Sequence, residues 1–334
     1  MSFFKNKPFR LTVLTLALLF SSNAYGNNDR PDPTGTPTQV ELFVAILDID
    51  EIDGVSQSFF ANVFIAARWK DKRLAHNLGK EVTYDLKNAW FPRLTILNEQ
   101  KTFRSMPQIL EVSSDGTVVY RQRLWGSFSQ PLELQNFPFD IQNFAIKFAT
   151  AGYSSEEVQL VLHKDRTSGI AESLSLPDWK VRDVEIKVGS EALIGGAEEI
   201  PTFTIQFEAE RTSSYFVVKV ILPLILIVCM SGVVYWLDPS MAATQISVSS
   251  TAMLTLIAYR FAIDGLVPKV SYLTRMDTFI FIATFIIFAG LIIAVTTSIL
   301  AREDRLNMAR QIDKWCRVLF VIGVSANIVY AFLI

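Results

Sequence analysis

The feature that most constrains this chain is where its apolar residues lie: the long apolar stretches fall beyond Tyr215. Tyr215 to Trp236 and Phe279 to Leu300 are each long enough to cross a hydrocarbon core of ~30 Å at ~1.5 Å of rise per residue. Val318 to Ile334 is at the short end, and Trp315 extends its anchor into the interface, which gives a helix over about 316–334. Ile246 to Val267 differs, because it carries Ser247, Ser249, Ser250, Thr251, Thr255, Arg260 and Asp264. A helix with that polar load faces protein or water, not lipid alone. Half of the chain is hydrophobic and 19% is charged, against roughly 25% charged in an ordinary soluble domain. A single soluble globule is therefore excluded, and four helices are expected at about 215–236, 246–267, 279–300 and 316–334 within a membrane domain of 212–334.

The N-terminus reads as an export signal over residues 1–26. Lys5, Lys7 and Arg10 precede the apolar run Leu11 to Phe20, and Ala24-Tyr25-Gly26 offers a small-x-small cleavage site before Asn27. An uncleaved anchor is the alternative. Residues 27–211 then carry strand signals and no long amphipathic helix. Phe203, Ile205, Phe207 and Ala209 alternate with Thr204, Gln206 and Glu208; Val40, Leu42, Val44 and Ile46 repeat the pattern, as do Val184, Ile186 and Val188. Asp115-Gly116 marks a turn before the β-branched run Thr117 to Tyr120. Together these predict an antiparallel β-sandwich, with Trp69 and Trp90 in its core. The fold class is thus a β-sandwich followed by a four-helix transmembrane domain. The region holds no glycine-rich phosphate loop, and its two histidines, His76 and His163, have no metal-like spacing, so neither an enzyme nor a cofactor or metal site is indicated. A net charge of -2 without a basic run argues against nucleic acid. Cys229 and Cys316 lie in or beside apolar segments and provide no disulfide framework.

Arg302, Arg305, Arg310, Lys314 and Arg317 crowd the third connection, whereas the second has Lys269 and Arg275. The positive-inside rule then puts the third connection in the cytoplasm, and the sandwich and C-terminus on the other side of a plasma (inner) membrane. On the second span, Ser247, Thr251, Leu254, Ala258 and Phe261 are spaced 4, 3, 4 and 3, so they share one helix face. In a ring of such helices this face makes a pore with a hydroxyl-lined inner half and an apolar constriction that gates by dewetting. The same spacing fits a packing seam between helices.

Five short motifs fall in a familiar order: Trp90-Phe91-Pro92 followed by Asn98, Phe137-Pro138-Phe139-Asp140, Arg211 before the first span, Pro223 within it, and Pro268 after the second. With four spans in register, the chain resembles a prokaryotic member of the pentameric ligand-gated ion channels, the Cys-loop receptor superfamily. Gln130 and Phe144 stand where animal receptors have the cysteines of the signature loop, so the resemblance implies no disulfide. The resemblance also implies a homopentamer in a lipid bilayer, permeated by inorganic ions and opened by a small-molecule agonist or protons. Coupling between the domains would run through Arg211, Asp53 and Asp140, with Pro268 and Lys269 on the membrane side. Of the family's aromatic cage for amines only Phe64 remains. By register the other cage positions carry Leu97, Ala151, Lys187 and Ile200, and Arg121 and Arg123 lie on the strand that the neighbouring subunit contributes. Without ring faces a cation-π ligand is disfavoured, and a carboxylate, a neutral molecule or pH is the expected stimulus. Asp264 near the outer mouth favours cations. The alternative is a membrane-anchored β-sandwich sensor or binding protein that conducts nothing; a transporter would need paired charges near the midplane.

Overall fold

The computed structural model describes residues 28–31, 35–192 and 199–333; the leader expected over residues 1–26, the cleavage expected before Asn27 and the end of the fourth span expected at Ile334 lie outside them. The β-region forms two sheets. The first runs in the order β10 (Gly169–Ile170), β1 (Thr38–Asp53), β2 (Ser58–Lys70), β7 (Thr117–Ser129), β6 (Ile109–Val112), β3 (Val82–Asp85), with β5 (Glu99–Arg104) also on β7 and β9 (Val158–Leu162) also on β1. The second runs β11 (Trp179–Glu191), β12 (Ile200–Arg211), β8 (Ile141–Thr150), β4 (Leu94–Ile96). Most pairs are antiparallel, while β9 and β10 lie parallel to β1.

Alternation places the core as expected. Val40, Leu42, Val44 and Ile46 are buried from one sheet, and Phe203, Ile205, Phe207 and Ala209 from the other. The sheets meet through aromatic rings: Phe59 lies 5.2 Å from Phe144 and 5.9 Å from Phe207. Phe144 is thus a core residue. Asn98 bonds across the sheets, donating to the Ser129 and Ala145 carbonyls at 3.0 and 2.8 Å. Trp69 and Trp90 are both buried, 5.7 Å apart, and the Trp90 Nε1–H donates to the Tyr153 hydroxyl. One expectation needs correction: Val184 and Val188 are exposed and only Ile186 is half-buried. The reason is position, since β11 is an edge strand with a neighbour on one side only.

Among the described residues, four helices are long and apolar enough to cross a membrane: α1 (Ser214–Trp236), α2 (Ala242–Ile263), α3 (Arg275–Arg302) and α4 (Leu306–Leu333). Their ends differ from the sequence reading. Helix α2 begins and ends four residues before 246–267, because Gly265 and Pro268 disfavour helix beyond Ile263. Helix α3 begins at Arg275 instead of 279 because Thr274 and Asp277 form a reciprocal capping box. Helix α4 begins at Leu306, ten residues before 316, so Arg310, Lys314 and Arg317 are helical and only Glu303 to Arg305 separate α3 from α4.

Candidate functional site

The junction between sandwich and helices is built on strand register. In the β8–β12 pair Ile141 faces Glu210, so the next pair along is Asp140 and Arg211. The Arg211 N–H donates to the Asp140 carbonyl at 3.1 Å. Its guanidinium forks onto the same residue, Nε to Oδ1 at 2.7 Å and Nη2 to Oδ2 at 3.1 Å. The register that sets Trp179 opposite Arg211 also lays the indole over the guanidinium, 4.1 Å from the ring centre, with the Phe137 ring at 5.0 Å on the FPFD loop. The Gln142 amide donates a further bond to Asp140 at 2.7 Å and is held in turn by the Glu133 backbone. The side chains of Asp140 and Arg211 are 1% and 11% exposed. Desolvated charges of this kind persist only when each is fully bonded.

The membrane domain docks on the same loop. The Tyr272 hydroxyl accepts from the Leu134 N–H at 3.0 Å and donates to the Leu132 carbonyl at 3.4 Å. The Arg275 N–H donates to the Gln135 carbonyl and its guanidinium to Asn136 Oδ1, both at 2.8 Å. Phe137 meets Phe216 of α1 ring to ring at 4.8 Å. Gly54, in the turn after β1, lies where a methyl group would touch Leu134 at 3.6 Å and Pro268 at 3.8 Å. Of the expected coupling residues, the structure therefore brings Asp140 and Arg211 together and sets Pro268 beneath the β1–β2 turn.

Asp53 does not join them. Its carboxylate accepts from the Val55 N–H at 2.8 Å, and hydrogen bonds led by Ser56 hold its carboxyl below the usual range. An aspartate at the head of a tight turn caps the turn's own backbone before it can reach outward. Among the described residues, Asp140 is the carboxylate within ion-pair distance of Arg211. Lys269 pairs instead with Asp264 at 2.9 Å, both largely exposed. A cavity of about 570 Å³ opens beside this pair, lined by Arg260, Tyr272, Asp277 and Ile280 among others.

On α2 the two faces separate cleanly. Ser247, Thr251, Leu254, Ala258 and Phe261 are all exposed, Leu254 by 68% and Phe261 by 80%. Gln245, Ser249, Ala252, Leu256 and Ile263 are buried against the other helices. The two stripes are offset by two residues, or about 200° around the helix. The seam within the subunit is the second stripe, and the serine-to-phenylalanine stripe faces away from the bundle. The Arg260 guanidinium leans over the Phe281 ring at 5.6 Å, off that stripe.

A family model described as the neurotransmitter-gated ion-channel ligand binding domain matches residues 14–212, and one for the corresponding transmembrane region matches residues 220–305. The first alone covers more than half of the chain. The chain belongs to the neurotransmitter-gated ion channels. Members are ligand-gated channels and not enzymes, and membership implies a pentameric assembly, multiply spanning a lipid bilayer, with permeating ions and a small-molecule ligand.

In this channel subunit the expected ligand residues fall into two groups on different sheets. Phe64 is paired across strands with Arg123, and Ala66 with Arg121, on the outward face of β2 and β7. Phe64 packs edge-on to Phe43 at 6.3 Å. Arg121 is ion-paired with Glu111, and Arg123 Nε donates to Asn62 Oδ1 at 2.9 Å. Beside them a cavity of about 220 Å³ is lined by Arg68, Arg121, His163 and Arg166. Burial first, then the Arg68 charge, holds the His163 imidazole below its ordinary value. Leu97, Ala151, Lys187 and Ile200 belong to the second sheet and its connections: Leu97 N–H bonds the Lys147 carbonyl and Ala151 N–H the Arg93 carbonyl. Lys187 is paired with Thr204, and Ile200 with Glu191. Lys187 also lies 3.4 Å from the Glu185 carboxylate. Among the described residues, the two groups therefore lie on different sheets. Gln142, Trp179, Tyr272 and Arg275 were not legible as junction residues, because their partners are backbone atoms or ring faces that only the tertiary fold supplies.

Proposed function

We propose that the chain forms a homopentameric channel of the prokaryotic branch, opened by a small molecule or protons acting on the sandwich domain. The exposed stripe on α2 carries this reading, because leaving Ser247 and Thr251 in lipid is costly whereas five copies around an axis give them water. Leu254, Ala258 and Phe261 then form the closed constriction. Arg211 and Asp140 transmit the signal, with Pro268 under the β1–β2 turn, while Asp53 shapes that turn and Lys269 balances Asp264.

The ligand site is formed between subunits, with Leu97, Ala151, Lys187 and Ile200 from one copy and Phe64, Arg121 and Arg123 from the next. Lys187 and the absent rings disfavour a quaternary amine. The orientation with the sandwich and C-terminus outside an inner membrane is supported by the basic residues at one end of the bundle. Arg310 there pairs with Asp238 of the α1–α2 turn at 2.9 Å. A cation preference rests on Asp264, whose Lys269 partner weakens the field it offers. Single-channel recording of purified protein in a planar bilayer under a KCl gradient tests the proposal: unitary currents support it, their reversal potential gives the sign of selectivity, and a silent bilayer under a screen of carboxylates, amines and pH favours the non-conducting sensor.

A further inference from the structure

Pro223 interrupts α1 near its start. It has no N–H, so the Lys219 carbonyl four residues earlier lacks an α-helical donor. The backbone ahead of it runs as a π turn over Val217–Ile221, in which the Leu222 N–H reaches back to the Val217 carbonyl. Carbonyls freed at membrane depth take partners from neighbouring helices. The Tyr259 hydroxyl of α2 comes within 3.4 Å of that Lys219 carbonyl and donates at 2.6 Å to the next one along, the Val220 carbonyl. At the far end, where α1 tightens into the 3-10 turn Val233–Trp236, the buried Gln245 amide donates to the Val234 and Leu237 carbonyls at 3.3 and 3.1 Å. Both side chains belong to the inward stripe of α2. They sit ~21 Å apart along it at about 1.5 Å per residue, and each is bonded where α1 departs from regular α geometry.

We propose that Tyr259 is a positioning residue of gating. Its hydroxyl ties the half of α2 that carries Leu254, Ala258 and Phe261 to the break in α1, so displacement of α1 moves the pore helix with it. The inference rests on the channel reading. Helix α1 starts three residues after Arg211, so a shift at the Arg211–Asp140 junction is delivered directly to its first turns. A π turn next to a proline is where a helix bends most readily. A hydrogen bond from the pore helix at that point makes the bend and the tilt of α2 one movement, while Gln245 holds the other end as its base.

The test is a double-mutant cycle that needs no agonist. Leu254→Ser raises resting openings, and in that background the factor by which Asp140→Asn changes open probability is measured in KCl, first with Tyr259 intact and then with Tyr259→Phe. Loss of the tether should shrink that factor by ~2- to 10-fold, the range one net hydrogen bond supplies. Replacing Ile221 by its α-hydroxy acid, which makes the Val220 carbonyl a weaker ester acceptor, should reproduce the effect from the other side. Size exclusion confirms assembly of each variant, and Arg211→Lys serves as the junction perturbation where Asp140→Asn does not assemble. If the Asp140→Asn factor is the same with and without the hydroxyl, the tether is refuted while the channel stands. If the Leu254→Ser protein passes no current, the channel reading fails and the role of Tyr259 in gating fails with it.

Discussion

Breaking the Arg211–Asp140 pair should be costly, and its repair by a second substitution should be visible. Asp140→Asn keeps the shape of the side chain and one acceptor oxygen but removes the charge that Arg211 faces at 2.7 Å. Removing one partner of a buried pair costs about 3–5 kcal/mol. The low end applies, because the guanidinium keeps the Trp179 and Phe137 rings and is 11% exposed. At ~2–4 °C per kcal/mol for a domain of this size, ~3 kcal/mol corresponds to a fall of ~6–12 °C in the unfolding midpoint of the sandwich. Arg211→Gln alone should cost as much or more, since it leaves the Asp140 carboxylate, 1% exposed, with the Gln142 amide as its remaining side-chain donor. The double replacement leaves neither charge and retains a neutral bond. It should therefore fall by about as much as one single variant, a coupling of ~3 kcal/mol in magnitude. Midpoints of full-length protein in detergent, compared at one heating rate because unfolding of such assemblies is irreversible, measure all three. A double variant whose loss equals the sum of the two single losses would refute the coupled pair.

Three further outcomes are expected. Leu254→Ser should raise resting conductance about tenfold, a shift of ~1.4 kcal/mol in the closed–open balance; unchanged leak currents place the gate elsewhere. Burial and Arg68 lower the His163 pKa, so the native packing favours the neutral ring, contributes fully above the ordinary value of about 6.5, and is lost as pH falls through the lowered folded value. His163→Gln should flatten the decline in sandwich stability below about pH 6.5, and equal acid sensitivity of the two proteins contradicts this. Choline applied at constant pH should evoke no current, and a robust choline response would mean that Lys187 does not guard the site.

Strand positions buried on both sides by pairing were legible, and the edge was not. Alternation gives the same signal for Val184 as for Phe203, yet Phe203 has strands on either flank and Val184 has one. The number of spans was legible from apolar length, while their ends depended on local chemistry that hydropathy does not register. The Thr274 and Asp277 capping box is readable three residues apart, whereas the start of α4 is hidden by basic residues that read as a loop. At the junction, Asp140 and Arg211 were legible because a motif marks each. Asp53 stands apart from that pair, because nearness in a charge-rich loop says nothing about which backbone the carboxylate turns to first.

Helix α2 shows the limit most sharply. Spacing of 4, 3, 4 and 3 describes Ser247 to Phe261, and it describes Gln245, Ser249, Ala252, Leu256 and Tyr259 equally well. Both stripes mix polar and apolar residues, so composition does not rank them either. They differ in what their polar atoms find. Gln245 reaches the Val234 and Leu237 carbonyls at the 3-10 turn of α1, and Tyr259 the Val220 carbonyl at its π turn, which commits their polar atoms inwardly. With that face committed to α1, Ser247, Leu254 and Phe261 are turned away from their own bundle and must be covered by water or by other copies of the chain. The irregularities of α1 thus bear on which face of α2 turns away from its own bundle, the face that the channel proposal assigns to the pore.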